Sequence, residues 1–175
     1  MLRYIWASLA VAILAAGASA DEKHEHKDGA KNPALEKLKK LAGEWVAVDD
    51  KGKEQLVSVF KVTSAGSAVH ETIFPGTPME MVSVYHMDGK DLIMTHYCAL
   101  GNQPKMKLDP TGKDNQLKFV FAGGTNLDSA KDMHMHDGTI NIVDDNHIEW
   151  QWSAYDKGKP AEGHQVSMKL ERKKK

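Results

Sequence analysis

Residues 81–108 read MVSVYHMDGKDLIMTHYCALGNQPKMKL. Apolar and polar side chains alternate on both sides of Asp88-Gly89, and such alternation around an Asp-Gly turn is a strong hairpin signal. Gly101-Asn102-Gln103-Pro104 then marks a loop before a third strand. This region therefore predicts antiparallel strands that carry polar side chains, among them His96, in their interior positions.

The same signals recur along the rest of the chain. Asn32 is a good N-cap and Pro33 suits the first helical position, so we expect a short helix that ends before Gly43. The predicted strands are 44–48, 54–61, 68–74, 80–87, 91–99, 104–108, 116–122, 133–143, 147–155 and 163–172. About ten strands without interleaved helices predict an all-β, antiparallel up-and-down barrel, which hides its edges by closing.

The first twenty residues are predicted to be a signal peptide. Arg3 supplies a positive start, residues 4–17 form an apolar run, and Ala18-Ser19-Ala20 fits the small-x-small cleavage pattern. The mature chain would begin at Asp21, and we expect it to be exported to the periplasm or the medium. Because the apolar run is short for a membrane span, the sequence argues against a stable membrane anchor.

Residues 21–32 are rich in charge and histidine, and we expect them to form a disordered linker before a barrel domain at 33–175. His24 and His26 lie among carboxylates there and could bind Zn²⁺ or Cu²⁺. A copper clamp at a free amino terminus needs His as the third residue, whereas His24 is the fourth residue after the predicted cleavage site.

Charge and motif content narrow the class of protein. Without its first twenty residues the chain loses one basic residue, Arg3, which leaves 22 basic against 24 acidic residues and a net charge of −2. This balance argues against a nucleic-acid-binding protein. Cys98, the only cysteine, excludes an internal disulfide. The chain has no nucleophile elbow, P-loop, HExxH or CxxC motif, so the sequence leans against an enzyme without deciding the matter.

Gly43-Glu44-Trp45 follows the predicted helix and begins the first strand. Together with the strand series, this G-x-W motif resembles the opening of the lipocalin-like (calycin) barrels, and the resemblance covers residues 32–175. It is nearest to uncharacterised secreted bacterial lipocalin-like and nitrobindin-like proteins. The resemblance implies structural roles for Gly43, for Trp45 as a plug of one barrel end, and for Arg172, which would pack over Trp45.

Nitrobindin-like haem binders carry a proximal His on their final strand. In this chain the predicted last strand has no His in its interior, and His164 lies at its start beside the turn. Haem is therefore not expected, and no cofactor is assigned with certainty.

Met133-His134-Met135-His136 suggests a metal site. In a strand His134 and His136 point to the same face, ~7 Å apart at the backbone, within reach of one Zn or Cu ion. A further ligand would come from a neighbouring strand, with His96 and His70 as the candidates. Alternatively, the two histidines line a polar wall or face solvent.

His96 is the strongest single candidate for a functional residue. It shares a strand face with Met94 and Cys98, and if that face points inward the three side chains would meet a cavity together. His96 would serve there as a hydrogen-bond donor, a ligand or a base. The hairpin register would place Met81 or Val82 opposite His96. The alternative is a core histidine that a backbone carbonyl or a hydroxyl satisfies.

Aromatic, amide and methionine side chains complete a predicted binding site for an apolar molecule. Tryptophans on one strand face would form a flat wall, and eight methionines beyond Met1 suit an adaptable cavity. Loop amides could bind a polar head group at the barrel mouth, or simply form turns. The predicted ligand-binding residues are His96, Met94, Asn102, Gln103, Phe119, Phe121, Asn126, Trp150 and Trp152.

Three functions are compatible with these patterns. The leading one is an exported barrel that binds a small, largely apolar molecule in its interior. The second is a His-based metal site around His96, His134 and His136, with or without catalysis. The third is a non-catalytic structural or interaction protein of the cell envelope. Nothing in the sequence indicates an oligomeric state.

Overall fold

The computed structural model describes residues 32–174, which begin with helix α1, Pro33–Lys40. The Asn32 side chain caps this helix by accepting hydrogen bonds from the backbone amides of Ala34 and Leu35, at 2.9 and 3.3 Å. Pro33 follows the cap, where its missing N–H costs no hydrogen bond. The predicted signal peptide and residues 21–31 of the predicted linker lie outside the described residues.

Ten antiparallel strands follow α1. They are β1 (Gly43–Val48), β2 (Glu54–Thr63), β3 (Ala68–Ile73), β4 (Met81–Asp88), β5 (Asp91–Tyr97), β6 (Gln103–Leu108), β7 (Gln116–Thr125), β8 (His134–Ile142), β9 (His147–Asp156) and β10 (Lys159–Arg172), with a 3₁₀ turn at Ser64–Gly66. Each strand pairs with the next along the chain, and β10 pairs with β1, so the sheet closes. The predicted fold class, an all-β up-and-down barrel of about ten strands with a short N-terminal helix, is confirmed.

Alternating burial identifies the strand faces that point into the barrel. On β5, Leu92, Met94 and His96 are all buried on one face, whereas only Ile93 is buried on the other. The sequence left the inward face of this strand open, because both faces are half apolar. On β3, Val69, Glu71 and Ile73 are buried. The interior therefore contains a carboxyl group and an imidazole as well as apolar side chains.

One end of the barrel, which we call the closed end, is covered by α1. Trp45 is completely buried there, and its indole N–H donates to the Leu41 carbonyl at 2.8 Å. The Arg172 guanidinium lies 4.5 Å from the Trp45 ring and donates to the carbonyls of Ala42 and Lys40, at 2.8 and 2.9 Å. A Cβ at Gly43, where φ is +132°, would lie 3.0 Å from Arg172 Nη1, so this close approach requires glycine.

The opposite end, which we call the open end, is not covered by α1. In an up-and-down barrel alternate turns lie at the same end, so the β1–β2, β3–β4, β5–β6, β7–β8 and β9–β10 connections lie there. Their side chains, rather than a helix, determine how far this end is closed.

The last strand begins earlier than the sequence predicts. β10 starts at Lys159 rather than at 163. Four of its residues, 161–164, lie opposite the single residue Ala154 of β9. This irregular part of β10 breaks the alternation that marks a strand in sequence, which is why the sequence does not reveal the true start. His164 is therefore inside the last strand, at an exposed position, and not at its beginning. Among the described residues, no helix is long and apolar enough to cross a membrane.

Candidate functional site

A cavity of about 400 Å³ opens at the open end of the barrel, and we call it the open-end cavity. Its walls come from the β3–β4, β5–β6 and β7–β8 connections and from the irregular part of β10. Apolar side chains make up most of the lining: Phe74, Met79, Met81, Leu100, Met133, Met135, Trp150, Trp152 and Val166. A volume of this size lies within the usual range for small-molecule sites.

The barrel is packed shut beneath the open-end cavity. Tyr85, Met94, Phe119 and Ile140 surround a residual void of only about 10 Å³, which has room for no more than one water molecule. The open-end cavity is therefore a blind pocket in the half of the barrel nearest the open end, and not part of a channel.

His96 lies at the floor of the open-end cavity. Its Nδ1 is 3.0 Å from Ser83 Oγ, and its ring packs edge to face on Trp152 with the centroids 4.7 Å apart. Burial lowers the pKa of His96 to about 4, so the imidazole is neutral at pH 7.

Ser83, and neither Met81 nor Val82, is the residue opposite His96, which corrects the register expected from the sequence. The turn lies one residue further along the chain than expected. Asp88 pairs with Asp91, so Gly89 and Lys90 rather than Asp88 and Gly89 form the two-residue turn, and this shifts the pairing to Ser83.

A buried carboxyl group, Glu71, lies beside this hairpin. It accepts hydrogen bonds from Ser58 Oγ at 2.6 Å and from the Tyr85 hydroxyl at 2.5 Å. Burial raises the pKa of Glu71 to about 7, and the two hydrogen bonds offset part of that increase. Burial, with the neighbouring Glu71 carboxyl, raises the pKa of Tyr85 well above its usual value.

Glu71, Tyr85, Ser83 and His96 lie close together inside the barrel and form two hydrogen-bonded pairs, Tyr85 with Glu71 and Ser83 with His96. Glu71, Ser83 and His96 are direct partners across β3, β4 and β5. Of the four residues, the sequence analysis missed all but His96. The signal was present, because Glu71 shares one face of β3 with Val69 and Ile73, and a carboxylate flanked in this way points into the core.

His134 and His136 lie in an aromatic cluster. His134 Nδ1 is 2.8 Å from the Asp132 carbonyl oxygen, and His134 Nε2 is 3.2 Å from His136 Nδ1. A carbonyl only accepts, so His134 carries its proton on Nδ1 and accepts from His136 through Nε2. The His136 ring stacks between Tyr155 and Phe121, at centroid distances of 3.6 and 4.7 Å, and burial lowers its pKa.

The other predicted metal ligands do not join this pair. His96 is bonded to Ser83, and His70 lies on the outer face of β3 beside the buried Glu71. Within residues 32–174, no group of three or more His, Cys, Asp or Glu side chains is placed to hold a metal ion. The structure thus brings together His134 and His136 of the four predicted ligands. His24 and His26 fall outside the described part of the chain.

The predicted amide contacts brace the loops of the open end instead of lining the cavity. Asn102 Nδ2 donates to the Met133 carbonyl at 2.9 Å, and Asn126 Nδ2 donates to the Gly101 carbonyl at 2.8 Å. Gln103 Oε1 accepts from the Thr125 hydroxyl at 2.9 Å. These bonds tie the β5–β6 connection to the β7–β8 connection, and so fix two walls of the cavity.

Three of the nine predicted ligand-binding residues, His96, Trp150 and Trp152, line the open-end cavity. Met94 and Phe119 lie below it in the packed core, and Phe121 belongs to the aromatic cluster. The half-buried Cys98 lines the cavity together with His96, as expected if this face of the strand points inward. The methionines of the lining were not among the predicted contacts, although the abundance of methionine indicated an adaptable cavity.

Two buried polar atoms have no hydrogen-bond partner within the described residues, Trp152 Nε1 and Asn102 Oδ1. Buried polar atoms are normally paired, so each such atom needs an explanation. The Trp152 ring lines the open-end cavity, but its Nε1 atom is closed off from water and so does not face the cavity.

The architecture indicates the class of fold. A closed, ten-stranded antiparallel barrel with a short helix over one end is consistent with a lipocalin-like fold. No protein-family model matches the chain, and no curated protein is significantly similar to it. The function must therefore be inferred from the open-end cavity itself.

Proposed function

We propose that this protein is an exported lipocalin-like barrel that binds a small, largely apolar molecule in the open-end cavity. The observation that carries the proposal is the cavity of about 400 Å³, which has an apolar and aromatic wall and His96 at its floor. His96, Trp150 and Trp152 would contact the ligand. Among known proteins, secreted bacterial lipocalin-like and nitrobindin-like barrels are the expected relatives.

Exposed apolar side chains at the mouth support a binding role. Met79 and Leu100 both line the open-end cavity and are 55% and 57% exposed. A bound apolar molecule would remove part of this surface from water, at roughly 25 cal/mol per Å² of apolar area. The signal-like first twenty residues support export, and the balanced charge makes nucleic acid an improbable partner.

Ligand titration with a blocked variant tests the proposal. Ala154 lines the open-end cavity, whereas Ala122 is exposed on β7 and does not. We expect the chain from Asp21 onward, and its Ala122→Trp variant, to bind an apolar fluorescent probe such as an anilinonaphthalene. Ala154→Trp should fill the cavity and weaken binding by roughly tenfold or more.

Native mass spectrometry of the exported protein, purified without chelator, identifies the natural occupant. Extra mass of a few hundred daltons would support the proposal. If the wild-type protein binds no probe and carries no small molecule, the third function, a structural or interaction protein of the cell envelope, is favoured instead.

A second candidate function is metal binding at His134 and His136. The 3.2 Å between His134 Nε2 and His136 Nδ1 is close to the separation of about 3.3 Å that two nitrogen ligands have around a tetrahedral Zn²⁺. An ion of Zn or Cu would replace the proton that the two rings share. If His134→Ala leaves the metal content of the purified protein unchanged, this candidate is wrong.

A further inference from the structure

The open-end cavity is rich in sulfur. The chain has ten sulfur-bearing side chains, nine methionines and one cysteine. Five of them line this cavity: Met79, Met81, Cys98, Met133 and Met135. Among the described residues, no Asp or Glu side chain belongs to the same lining. Thiolate and thioether ligands select soft metal ions, whereas carboxylates suit hard ones, so the composition of this wall favours a soft ion.

The His96 ring offers a free nitrogen to this space. Its Nδ1 lies 3.0 Å from Ser83 Oγ, whereas its Nε2 has no hydrogen-bond partner within the described residues. His96 is only 1% exposed, yet its Nε2 is not one of the unpaired polar atoms that are closed off from water. Because His96 lines the open-end cavity, Nε2 faces it and can be reached by a small ion.

The strand register places two sulfur atoms beside this nitrogen. Ser83 of β4 pairs with His96 of β5. Two residues further along each strand, on the same face, lie Met81 and Cys98, and both line the cavity. Side chains directly opposite each other have Cβ atoms about 5 Å apart, and neighbours on one face of a strand are ~7 Å apart at the backbone. The three side chains can therefore meet at one point.

The β5–β6 connection holds Cys98 in this position. The Cys98 backbone N–H donates to the Asn102 carbonyl at 3.1 Å, and Asn102 Nδ2 donates to the Met133 carbonyl at 2.9 Å. Asn102 thus brings a further sulfur-bearing residue, Met133, to the same corner of the cavity. Two strands and a braced connection fix the backbone of this corner, and such support is what a precise metal site requires.

We propose that the open-end cavity contains a site for Cu(I), bound by His96 Nε2, the Cys98 thiolate and the Met81 thioether. With Nε2 on the metal, the ring proton lies on Nδ1 and is donated to Ser83 Oγ, the usual support for a ligating histidine. The inference goes beyond the proposed function and does not rest on it. A cavity of about 400 Å³ has room for an ion on one wall beside an apolar molecule.

Charge and polarity favour Cu(I) over divalent metals at this site. The Cys98 thiol releases its proton to water on binding, so the thiolate and Cu⁺ together carry no net charge. A neutral site suits a largely apolar wall, whereas Zn²⁺ or Cu²⁺ would leave a buried positive charge there. Within residues 32–174, no third His, Cys, Asp or Glu ligand is placed to help a divalent ion.

Competition with the coloured Cu(I) chelator ferrozine tests the inference. The protein from Asp21 onward is titrated at pH 7 without oxygen, and ascorbate keeps the copper as Cu(I). We expect the protein to take one equivalent of Cu(I) from the chelator. An ultraviolet charge-transfer band from thiolate to Cu(I) should accompany binding and be absent in Cys98→Ser. Zn²⁺ in excess should not displace the bound Cu(I).

Three substitutions and a matched control assign the ion to this site. Even outer-shell partners of a metal are worth about 10–100-fold in affinity. Cys98→Ser, Met81→Leu and His96→Phe should therefore each weaken Cu(I) binding by about tenfold or more. Met168→Leu should leave it unchanged, because Met168 is half-buried like Met81 but does not line the cavity. Circular dichroism establishes that each variant is folded.

Other copper-binding groups of the chain would give different patterns. Binding at the His134–His136 pair would be lost in His134→Ala and kept in Cys98→Ser. Binding near the amino terminus would be lost when His24 and His26 are replaced by alanine. Either pattern would overturn the inference, and so would a wild-type protein that takes no Cu(I) from ferrozine. The carrier function would stand in each case, because the anilinonaphthalene titration tests it separately.

Discussion

At the scale of single residues, Glu71 is the most unusual feature of the barrel. It is completely buried, and the ion pairs of the described residues do not include it. Two hydroxyl donors stabilise it, those of Ser58 and Tyr85. An uncharged carboxyl group is far less costly to bury than a carboxylate, which is why its pKa rises to about 7.

This raised pKa predicts how stability depends on pH. Between the ordinary value of 4.5 and about 7, the folded chain binds a proton at Glu71 that the unfolded chain has lost. The stabilisation is fully present below pH 4.5 and is lost as the pH rises through 7. We expect Glu71 to lower the free energy of unfolding by up to about 3 kcal/mol between pH 5 and pH 8.5.

Glu71→Gln, which is neutral at every pH, should remove this loss, as urea unfolding at the two pH values will measure. Glu162→Gln, at an exposed position, is the matched control and should behave like the wild type. Parallel pH profiles for Glu71→Gln and the wild type would contradict the argument.

The residue scale is also where sequence reasoning reached least far. Met94, Phe119 and Trp150 all point into the barrel, yet only Trp150 lines the open-end cavity, because the other two lie lower in the core. Alternation reports the face on which a side chain lies, and not its height along the barrel axis. The partner of His96 likewise depended on the turn forming at Gly89-Lys90 rather than at Asp88-Gly89.

At the scale of elements, turn residues made the strands predictable. Every predicted strand exists, and most boundaries agree within two residues, since Asp-Gly and related turns mark the chain reversals clearly. The main error is the start of β10, where the irregular residues 161–164 contribute no alternation. These residues matter, because Gly163 and His164 belong to the wall of the open-end cavity.

Arg172 joins three elements at the closed end, and its removal should be costly. Besides its bonds to the carbonyls of Lys40, the last helix residue, and Ala42, its Nε donates to the Asp145 carbonyl at 2.9 Å. We expect Arg172→Ala to lower the free energy of unfolding by about 2 kcal/mol, from lost charged hydrogen bonds and packing on Trp45.

Urea unfolding followed by tryptophan fluorescence measures the effect of Arg172→Ala. Lys169→Ala is a suitable control on the same strand, because the Lys169 side chain is 87% exposed and lies 4.0 Å from Glu149. It should change the stability by less than about 0.5 kcal/mol. Equal effects of the two substitutions would show that Arg172 does not connect these elements.

At the scale of the whole molecule, the two ends of the barrel are built differently. The helix, Trp45 and Arg172 cover the closed end, whereas three connections and the irregular part of β10 surround the open-end cavity. Ligand binding should therefore protect one end of the molecule only.

Hydrogen exchange followed by mass spectrometry tests this asymmetry. With the anilinonaphthalene probe bound, amide exchange should slow in residues 98–102, 126–133 and 161–164, because their opening would expose the ligand. Exchange in the closed-end turn at 109–115 should not change. Protection at 109–115, or equal protection throughout the chain, would place the ligand elsewhere.

The irregular part of β10 has a consequence for how this barrel can change over time. Its extra residues lie in one strand only, and the pairing with β9 resumes in alternating order at Gln165. Lengthening or shortening this segment would alter the width of the mouth without disturbing the register of the closed end. Such a segment is a natural place for insertions to accumulate and for grafted peptides to be accepted. The fold could in this way acquire new binding specificities while its closed end stays unchanged.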